Sequence, residues 1–468
     1  MEDLNILKHS FFKNNNFFLL FLFVFSFFIK SCVFYFYLGK NNNYWQVDSN
    51  TYDKIAQSLV ISKTFSANDT PNFYRLPGYP MFLAIGYKLF GIDTKNVLWL
   101  QLLLASFIPI LIYFLALTVM PGNLLLAKFA SLYSAIHLGL TLYSGFFMSE
   151  IIFIFLLLIF SILFFKNKHL FLAGIFLSLA GLVRPVGHYL IFLAIIILFF
   201  NNKKIKKTIF KSLFLILGFL ITVSPWLIRN YMLQGQLFFH TLPGGHFLNF
   251  AAARSVMIEQ DISYDRAKNY LKREIDILTQ DFKDENDRYP NEIEYCDLQM
   301  NLALKYFEKY PAITIKIFLL DIFRTSFSLY SAEILYLENS RSAIDYFSQK
   351  RTIKDMIYRY INPKTDNAFL QLLIIFEILL FALILLGFLG GFILALLGFF
   401  IKSFENIKKI YINFLPIIFL FLVIGLAGGY SRMRLPAEPF LIILSFSFYL
   451  FIYKNIIKKH KYGFTANI

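Results

Sequence analysis

The chain has 468 residues, of which 58% are hydrophobic, 19% aromatic and only 16% charged. Soluble domains carry about 25% charged residues, so the composition indicates a lipid bilayer as the main solvent. A net charge of +16 would favour nucleic acid as a partner in a soluble protein. Here the sequence has no basic stripe with interleaved aromatics, which argues against nucleic acid. Apolar runs of about 20 residues recur along the chain and predict an all-α, polytopic membrane protein.

The first predicted span, 17–38, is an uncleaved helix, because its apolar run is too long for a signal-peptide core. A polar loop over 39–93, the first loop, follows it. The other spans are predicted at 97–120, 124–145, 148–165, 170–183, 188–200, 209–228, 369–401, 410–428 and 439–453. This gives about ten transmembrane helices. An alternative gives about twelve, with 312–335 also spanning and 369–401 folded as a hairpin at Gly387 to Gly391.

The connections between the predicted spans alternate in charge. Lysines cluster in the connections 166–169, 203–207 and 402–409, whereas those near Glu150 and Arg184 carry little positive charge. Cytoplasmic connections carry the excess of Lys and Arg in bacterial inner membrane proteins. We therefore expect both termini in the cytoplasm and the first loop in the periplasm.

The same parity divides the chain into three parts. Residues 1–228 form an N-terminal membrane module with seven spans and the first loop, and residues 368–468 form the C-terminal spans. Residues 229–367 are predicted to be a periplasmic loop domain, since this part alone has a soluble-like composition. Within it, 312–335 is apolar with one polar face, which predicts an interfacial helix. That face holds Asp321, Arg324, Thr325 and Ser328.

Charged residues gather at the outer ends of the predicted spans. They are Asp48, Asp53, Arg75, Glu150, Arg184, His188, Arg229, Arg432 and Arg434. Guanidinium groups bind phosphate oxygens bidentately, and a nearby aspartate can activate a hydroxyl as a general base. Taken singly, Arg184, Arg229 and Arg432 are better explained as anchors at lipid headgroups, and Glu150 could equally cap its helix. Together they predict transfer of a group from a lipid phosphate to an acceptor.

The first loop carries the clearest motif. Asp48 with Tyr52 and Ala56, followed by Arg75-Leu76-Pro77-Gly78-Tyr79-Pro80, resembles the first outer loop of GT-C-type glycosyltransferases. Within these glycosyltransferases, the loop most resembles that of the bacterial relatives of protein O-mannosyltransferases and aminoarabinose transferases. Further motifs of the superfamily follow in the same order: Ser149-Glu150, Leu182-Val183-Arg184-Pro185, Pro225-Trp226-Leu227-Ile228-Arg229-Asn230, Gly244-Gly245 and Arg434-Leu435-Pro436-Ala437-Glu438-Pro439.

This resemblance implies a GT-C-like fold whose site opens to the periplasmic face. It implies a polyprenyl-phosphate sugar as donor, with the first-loop aspartate, here Asp48, as the base. By analogy Arg184, Arg229 and Arg434 would hold the donor phosphate. Many protein mannosyltransferases have a second acid where Ser49 stands, so a protein acceptor and a divalent cation are both left open. No metal site or other cofactor is predicted.

We therefore predict an inverting membrane glycosyltransferase with a polyprenyl-phosphate-linked donor. Its acceptor is a glycolipid such as a lipopolysaccharide component, a polysaccharide, or a protein that receives an O-linked sugar. Asp48 is the predicted catalytic residue. The predicted substrate-binding residues are Tyr52, Arg75, Tyr79, Glu150, Arg184, Arg229, Arg432 and Arg434. The alternatives are a polysaccharide polymerase or ligase and a transporter or flippase of lipid-linked sugars.

Overall fold

The computed structural model describes residues 2–202, 204–338, 365, 367–424 and 428–463, and this part is almost entirely helical. Lys203 and residues 339–364 of the predicted loop domain lie outside it. The α-helices are α1 (Glu2–Val33), α2 (Ser49–Ile61), α3 (Gly78–Phe90), α4 (Thr94–Val119), α5 (Leu124–Ile136), α6 (Leu138–Gly145), α7 (Glu150–Lys166), α8 (Leu170–Val183), α9 (Val186–Asn201), α10 (Ile205–Gln234), α11 (Leu242–Phe247), α12 (Ala253–Glu259), α13 (Tyr264–Asn286), α14 (Glu292–Lys309), α15 (Pro311–Phe327), α16 (Ser331–Glu338), α17 (Ala368–Leu397), α18 (Glu405–Ile424), α19 (Ser431–Arg434) and α20 (Glu438–Gly463).

Shorter elements complete the described part. Strands β1 (Ser66–Ala67) and β2 (Thr70–Pro71) form a small antiparallel pair within the first loop. The π-helical and 3₁₀ turns are Phe34–Leu38, Lys40–Asn42, Leu248–Ala252, Lys402–Phe404 and Leu435–Ala437. The first loop therefore contains two helices, α2 and α3, joined by a short hairpin.

Within the described residues, each of the ten apolar runs predicted as spans is mainly helical, which confirms a multi-pass, all-α membrane protein. Within the described residues, six helices are long and apolar enough to cross a membrane, and a seventh is added if α5 and α6 form one bent span. Helices α8 and α9 are apolar but shorter. The predicted count of ten spans is thus not confirmed by helix length. The six are Asn15–Leu38, Thr94–Val119, Ile205–Gln234, Ala368–Leu397, Lys402–Ile424 and Ser431–Asn455.

The run 124–145 is broken at His137, where α5 and α6 meet at 50°. The backbone of His137 is extended, with φ −63° and ψ 120°. Its imidazole Nδ1 accepts a hydrogen bond from the Leu140 amide at 3.3 Å and so caps the first turn of α6. A side chain that caps a helix N-terminus favours a new start over continuation of the previous helix.

The run 312–335 is also broken, and the prediction of a single helix there is wrong. It forms α15 and α16, with Ser328 to Tyr330 between them. The predicted polar face is buried: Asp321 accepts hydrogen bonds from Arg254 at 2.6 Å and from the Gly428 amide at 2.9 Å. A buried carboxylate needs such partners, and they hold α15 against α12 and the segment before α19.

The predicted hairpin within 369–401 is wrong as well, because α17 continues without a break through Gly387 and Gly391. These glycines are packing positions. A Cβ atom on Gly391 would lie 2.3 Å from the Tyr411 hydroxyl oxygen of α18. Small residues at such points let membrane helices approach each other closely.

Two clusters of buried apolar side chains organise the described residues. The larger one lies among the membrane helices and continues into the first loop through Tyr52 and Tyr79. The smaller one lies among α12, α13 and α14 and includes Val256, Leu271 and Leu302. The second cluster belongs to the segment predicted as a separate loop domain.

Helix α16 is held at its start by an acid from a membrane helix. Glu377 of α17 accepts hydrogen bonds from the Tyr330 amide at 2.6 Å and from the Ser331 amide at 2.8 Å. The first amides of a helix have no partner within the helix, so this carboxyl group supplies what α16 itself lacks. The buried acid within 369–401 thus positions an element outside the membrane helices.

We expect Glu377→Ala to lower stability by about 2–6 kcal/mol, because two buried amides lose their acceptors at about 1–3 kcal/mol each. Glu377→Gln should lose less, since it keeps one acceptor oxygen. Thermal unfolding in detergent measures both, with Leu379→Ala on an exposed face of the same helix as control. Equal midpoints for all three variants would contradict the capping role.

Candidate functional site

A cavity of about 250 Å³ lies where the first loop meets α7, α8, α16 and α19. This is close to the lower end for ligand pockets, about 300–1,000 Å³. Five ionisable side chains line it: Asp48, Arg75, Arg184, Glu333 and Arg432. Glu150 lies directly behind the wall, where it is fully buried and contacts two of the arginines. Tyr52, another predicted substrate-binding residue, also lines the cavity.

Asp48 lies at the N-cap position of α2, but its carboxylate does not cap that helix. It forms ion pairs with Arg75, Nη2 to Oδ1 at 2.6 Å, and with Arg432, Nη2 to Oδ2 at 3.1 Å. Ser49 beside it is fully buried and donates a hydrogen bond to the Phe147 carbonyl at 2.9 Å. Ser49 therefore ties the start of α2 to the segment that leads into α7.

Arg75 is fixed by aromatic rings. Its guanidinium lies 4.8 Å from the centre of the Tyr52 ring and 4.9 Å from that of Tyr74. Cation–π contacts of this kind restrict the side chain while leaving its N–H groups available. Gly78 then allows the loop to approach α8, since a Cβ atom there would lie 2.8 Å from the Leu182 carbonyl oxygen. The Arg75–Pro80 motif thus acts as a rigid support for Arg75.

Glu150 begins α7, and Arg184 directly follows α8, so the hairpin of these two helices returns them to the same end of the bundle. Glu150 Oε1 accepts hydrogen bonds from Arg184 Nη1 and from Arg432 Nε. Arg432 therefore bridges two carboxylates, those of Asp48 and Glu150. The network joins the first loop, two membrane helices and α19.

The charges decide the protonation state of Asp48. Burial raises the pKa of this carboxyl, but Arg432 and Arg75 lower it more strongly through their charge and hydrogen bonds. Its pKa therefore lies well below the usual range, and Asp48 is ionised at any pH near neutrality. While both arginines contact Asp48, this carboxylate is a weak base. It becomes a stronger base when another anion binds the two arginines.

Besides Glu150, three predicted substrate-binding residues lie outside the cavity wall. Tyr79 is buried, donates its hydroxyl hydrogen to Gln101 Oε1 at 3.0 Å, and packs edge-on against Tyr52. Arg229 donates to the carbonyl oxygens of Asn72 at 3.1 Å and Phe65 at 3.2 Å. These contacts tie the hairpin of the first loop to α10.

Arg434, the third of these residues, is buried on the opposite side of α19 from Arg432. Its Nε donates to Glu438 at 2.7 Å, and its Nη1 donates to the Thr325 and Ser326 carbonyls at 3.0 and 2.7 Å. It thereby caps the C-terminal end of α15. The geometry favours a structural role for Tyr79, Arg229 and Arg434, and contact of any of them with substrate stays a prediction.

Several cavity residues were not among the predicted site residues. Glu333 of α16 is the most important, and Tyr143, Tyr430 and His246 also line the wall. The signal for Glu333 is an acid inside the apolar run 312–335, since ionisable residues in such runs are functional candidates. Among the described residues, no three His, Cys, Asp or Glu side chains are grouped so as to hold a metal ion.

No protein-family model and no curated protein matches the chain. Among solved structures, it is similar to ArnT from Cupriavidus metallidurans in the apo state, with a TM-score of 0.33, 12% identity, and 85% of this chain and 72% of that chain covered. For ArnT from the same organism bound to undecaprenyl phosphate, the TM-score is 0.39 and the identity 11%, with 91% of this chain and 77% of that chain covered. For the Archaeoglobus fulgidus oligosaccharyltransferase in the apo form, the TM-score is 0.42 and the identity 12%, with 96% of this chain and 52% of that chain covered. Because these TM-scores are below 0.5, the function proposed for this chain rests on its motifs and its cavity.

We expect Glu150→Gln to destabilise the protein by about 3–5 kcal/mol, because it removes the buried counter-charge of Arg184 and one of the two counter-charges of Arg432. The matched control is Glu405→Gln, which removes an exposed ion pair with Lys409 at 2.9 Å and should not change the melting midpoint measurably. Thermal unfolding in detergent compares the two variants. Equal small effects would show that Glu150 does not hold the network together.

Proposed function

We propose that this protein is a membrane glycosyltransferase that moves a sugar from a polyprenyl-phosphate donor to a hydroxyl of an envelope acceptor. The observation that carries the proposal is the convergence of Asp48, Arg75, Arg184 and Arg432 in one cavity at one end of a membrane helix bundle. The first-loop motif, which resembles that of GT-C-type enzymes, supports the same reaction. Apolar helices around the cavity suit a donor that is anchored in the bilayer.

The donor phosphate would bind by exchange of partners. In the structure Arg75 and Arg432 hold the carboxylate of Asp48. A phosphate group offers guanidinium the same bidentate geometry as a carboxylate. When phosphate engages these two arginines, Asp48 loses the charges that keep its pKa low and becomes a stronger base. Arg184 stays paired with Glu150 and keeps α7 and α8 in register.

The transfer then needs one base and a cationic site. The acceptor oxygen attacks the anomeric carbon and forms the new glycosidic bond, while Asp48 takes the proton of the acceptor hydroxyl. The bond between the anomeric carbon and the phosphate oxygen breaks, and its electron pair stays on the phosphate. Arg75 and Arg432 stabilise the negative charge that develops there. Attack opposite the leaving group inverts the anomeric configuration.

The cavity is assigned to the periplasmic face of a bacterial inner membrane. Glu150 and Arg184 share one end of the α7–α8 hairpin, and Lys166 and Lys168 lie at its other end. Since lysine-rich connections remain in the cytoplasm, this assignment also puts both termini there. The acceptor is a glycolipid, a polysaccharide or a protein, and lipopolysaccharide and protein O-linked glycosylation are both within its range.

We expect Asp48→Asn to abolish sugar transfer while leaving the protein in the membrane, because asparagine cannot take up the acceptor proton. The assay measures label moved from extracted lipid-linked sugars to an extracted envelope fraction. Mass spectrometry of the product separates a single added sugar from a repeat unit, which a polymerase or ligase would add. Movement of the lipid across vesicles without a new glycosidic bond would favour a transporter.

The matched control is Asp53→Asn. Asp53 lies in the same loop but accepts hydrogen bonds from Tyr87 and from Gln57, the latter at 2.9 Å, and does not line the cavity. It should retain transfer. Transfer by Asp48→Asn at the wild-type rate would remove Asp48 as the base.

We expect undecaprenyl phosphate to raise the melting midpoint of the wild-type protein and to have a much smaller effect on Arg75→Gln and Arg432→Gln. At a given concentration, a ligand stabilises the folded state more when it binds more tightly, so loss of a phosphate partner reduces the shift. Arg288→Gln, outside the cavity in α13–α14, is the matched control and should keep the full shift. Equal shifts in all variants would contradict phosphate binding by Arg75 and Arg432.

A further inference from the structure

Glu333 is a third carboxyl group at the cavity, and the reaction described above does not use it. Its side chain is 8% exposed and lines the cavity wall. Helix α16, which carries it, is fixed at its start by Glu377. The position of Glu333 is therefore built by contacts from another helix rather than left to a flexible loop.

Glu333 differs from the other two carboxylates in its partners. Asp48 and Glu150 each contact two guanidinium groups. Within the described part of the chain, Glu333 has no ion pair, and its Oε1 accepts one hydrogen bond, from the Tyr143 hydroxyl at 3.0 Å. One oxygen is thus left for a group that enters the cavity.

The surroundings of Glu333 favour its neutral form. Burial raises the pKa of this carboxyl to about 7, although the Tyr143 hydrogen bond and the charge of Arg432 act in the opposite direction. The titratable and charged groups that face it are Tyr143 on α6, Glu150 on α7, and Tyr430 and Arg432 at the start of α19. A neutral carboxyl group both donates and accepts hydrogen bonds, as a sugar hydroxyl does.

We propose that Glu333, oriented by Tyr143, binds the acceptor, and that the group it binds is an uncharged hydroxyl rather than an ammonium group. The inference rests on the proposed function and assigns a separate task to each acid. Asp48 takes the proton of the acceptor hydroxyl after the donor phosphate has engaged Arg75 and Arg432, whereas Glu333 holds the acceptor in place for attack. A protonated carboxyl at this position gives no charge attraction to an amine, so it selects for hydroxyl-bearing acceptors.

The test separates acceptor binding from chemistry. Transfer is measured with the extracted lipid-linked sugar fraction held constant and the extracted envelope fraction varied, to give kcat and the KM for the acceptor. Glu333→Ala should raise the acceptor KM about tenfold, as expected for lost hydrogen bonds, with a smaller change in kcat. Glu333→Gln should keep the KM within about threefold of the wild type at low pH, because it resembles the protonated acid.

The pH dependence follows from the same protonation. Glu333 is protonated below about pH 7, so the acceptor KM of the wild type should rise as the pH increases through that value. Glu333→Gln cannot ionise and should remove this rise. In the wild type, the carboxyl group of Asp53 also accepts a hydrogen bond from a tyrosine, but it lies outside the cavity. Asp53→Asn should therefore keep the rise of the acceptor KM with pH.

The outcomes are distinguishable. An unchanged KM in Glu333→Ala overturns acceptor binding by Glu333, while transfer by the wild type still stands. A rise in the acceptor KM of Glu333→Gln as large as that of Glu333→Ala overturns the proposal that Glu333 binds a hydroxyl, and indicates an ammonium group instead. No transfer by the wild type with any fraction overturns the proposed function itself. Thermal unfolding of each variant identifies those that are merely misfolded, and Tyr143→Phe then tests the same site without altering Glu333.

Discussion

The site depends on the guanidinium group of Arg432. It contacts Asp48, 384 positions earlier in the chain, and Glu150, 282 positions earlier. Through these two contacts the first loop, the start of α7 and the short helix α19 become one unit, and Arg184 joins them at Glu150. Buried charges persist only when they are paired, so each member of the network requires the others. The geometry of the cavity is therefore a consequence of charge balance.

The same pairing controls the proposed chemistry. A carboxylate between two arginines is stable but weakly basic, and it becomes reactive when a competing anion takes its partners. Donor binding and activation of Asp48 are then one event, so that proton transfer follows donor binding. Glu333 stands apart because burial, without a paired cation, dominates its pKa. Two acids with opposite environments in one cavity can take different tasks, as expected when pKa values are separated by surroundings.

Much of this arrangement can be predicted from the sequence. The rest cannot, for physical reasons. Apolar runs predict the helices, and charge alternation predicts that Asp48, Glu150 and Arg184 meet at one end. Two positions on a helix are separated by about 200°, so Arg432 and Arg434 face different ways. Sequence order does not show that Arg432 is the one that faces the cavity. Nor does it show the break before α16, which Glu377 stabilises from a distant helix. Glu333 was missed for that reason.

One measurement tests the account most directly: an experimental structure of the protein with undecaprenyl phosphate bound. We predict that the phosphate lies between Arg75 and Arg432, with Asp48 released from both and open to the cavity. Glu150 should remain paired with Arg184. A phosphate bound elsewhere, with the ion pairs of Asp48 intact, would contradict the exchange of partners on which the proposed mechanism depends.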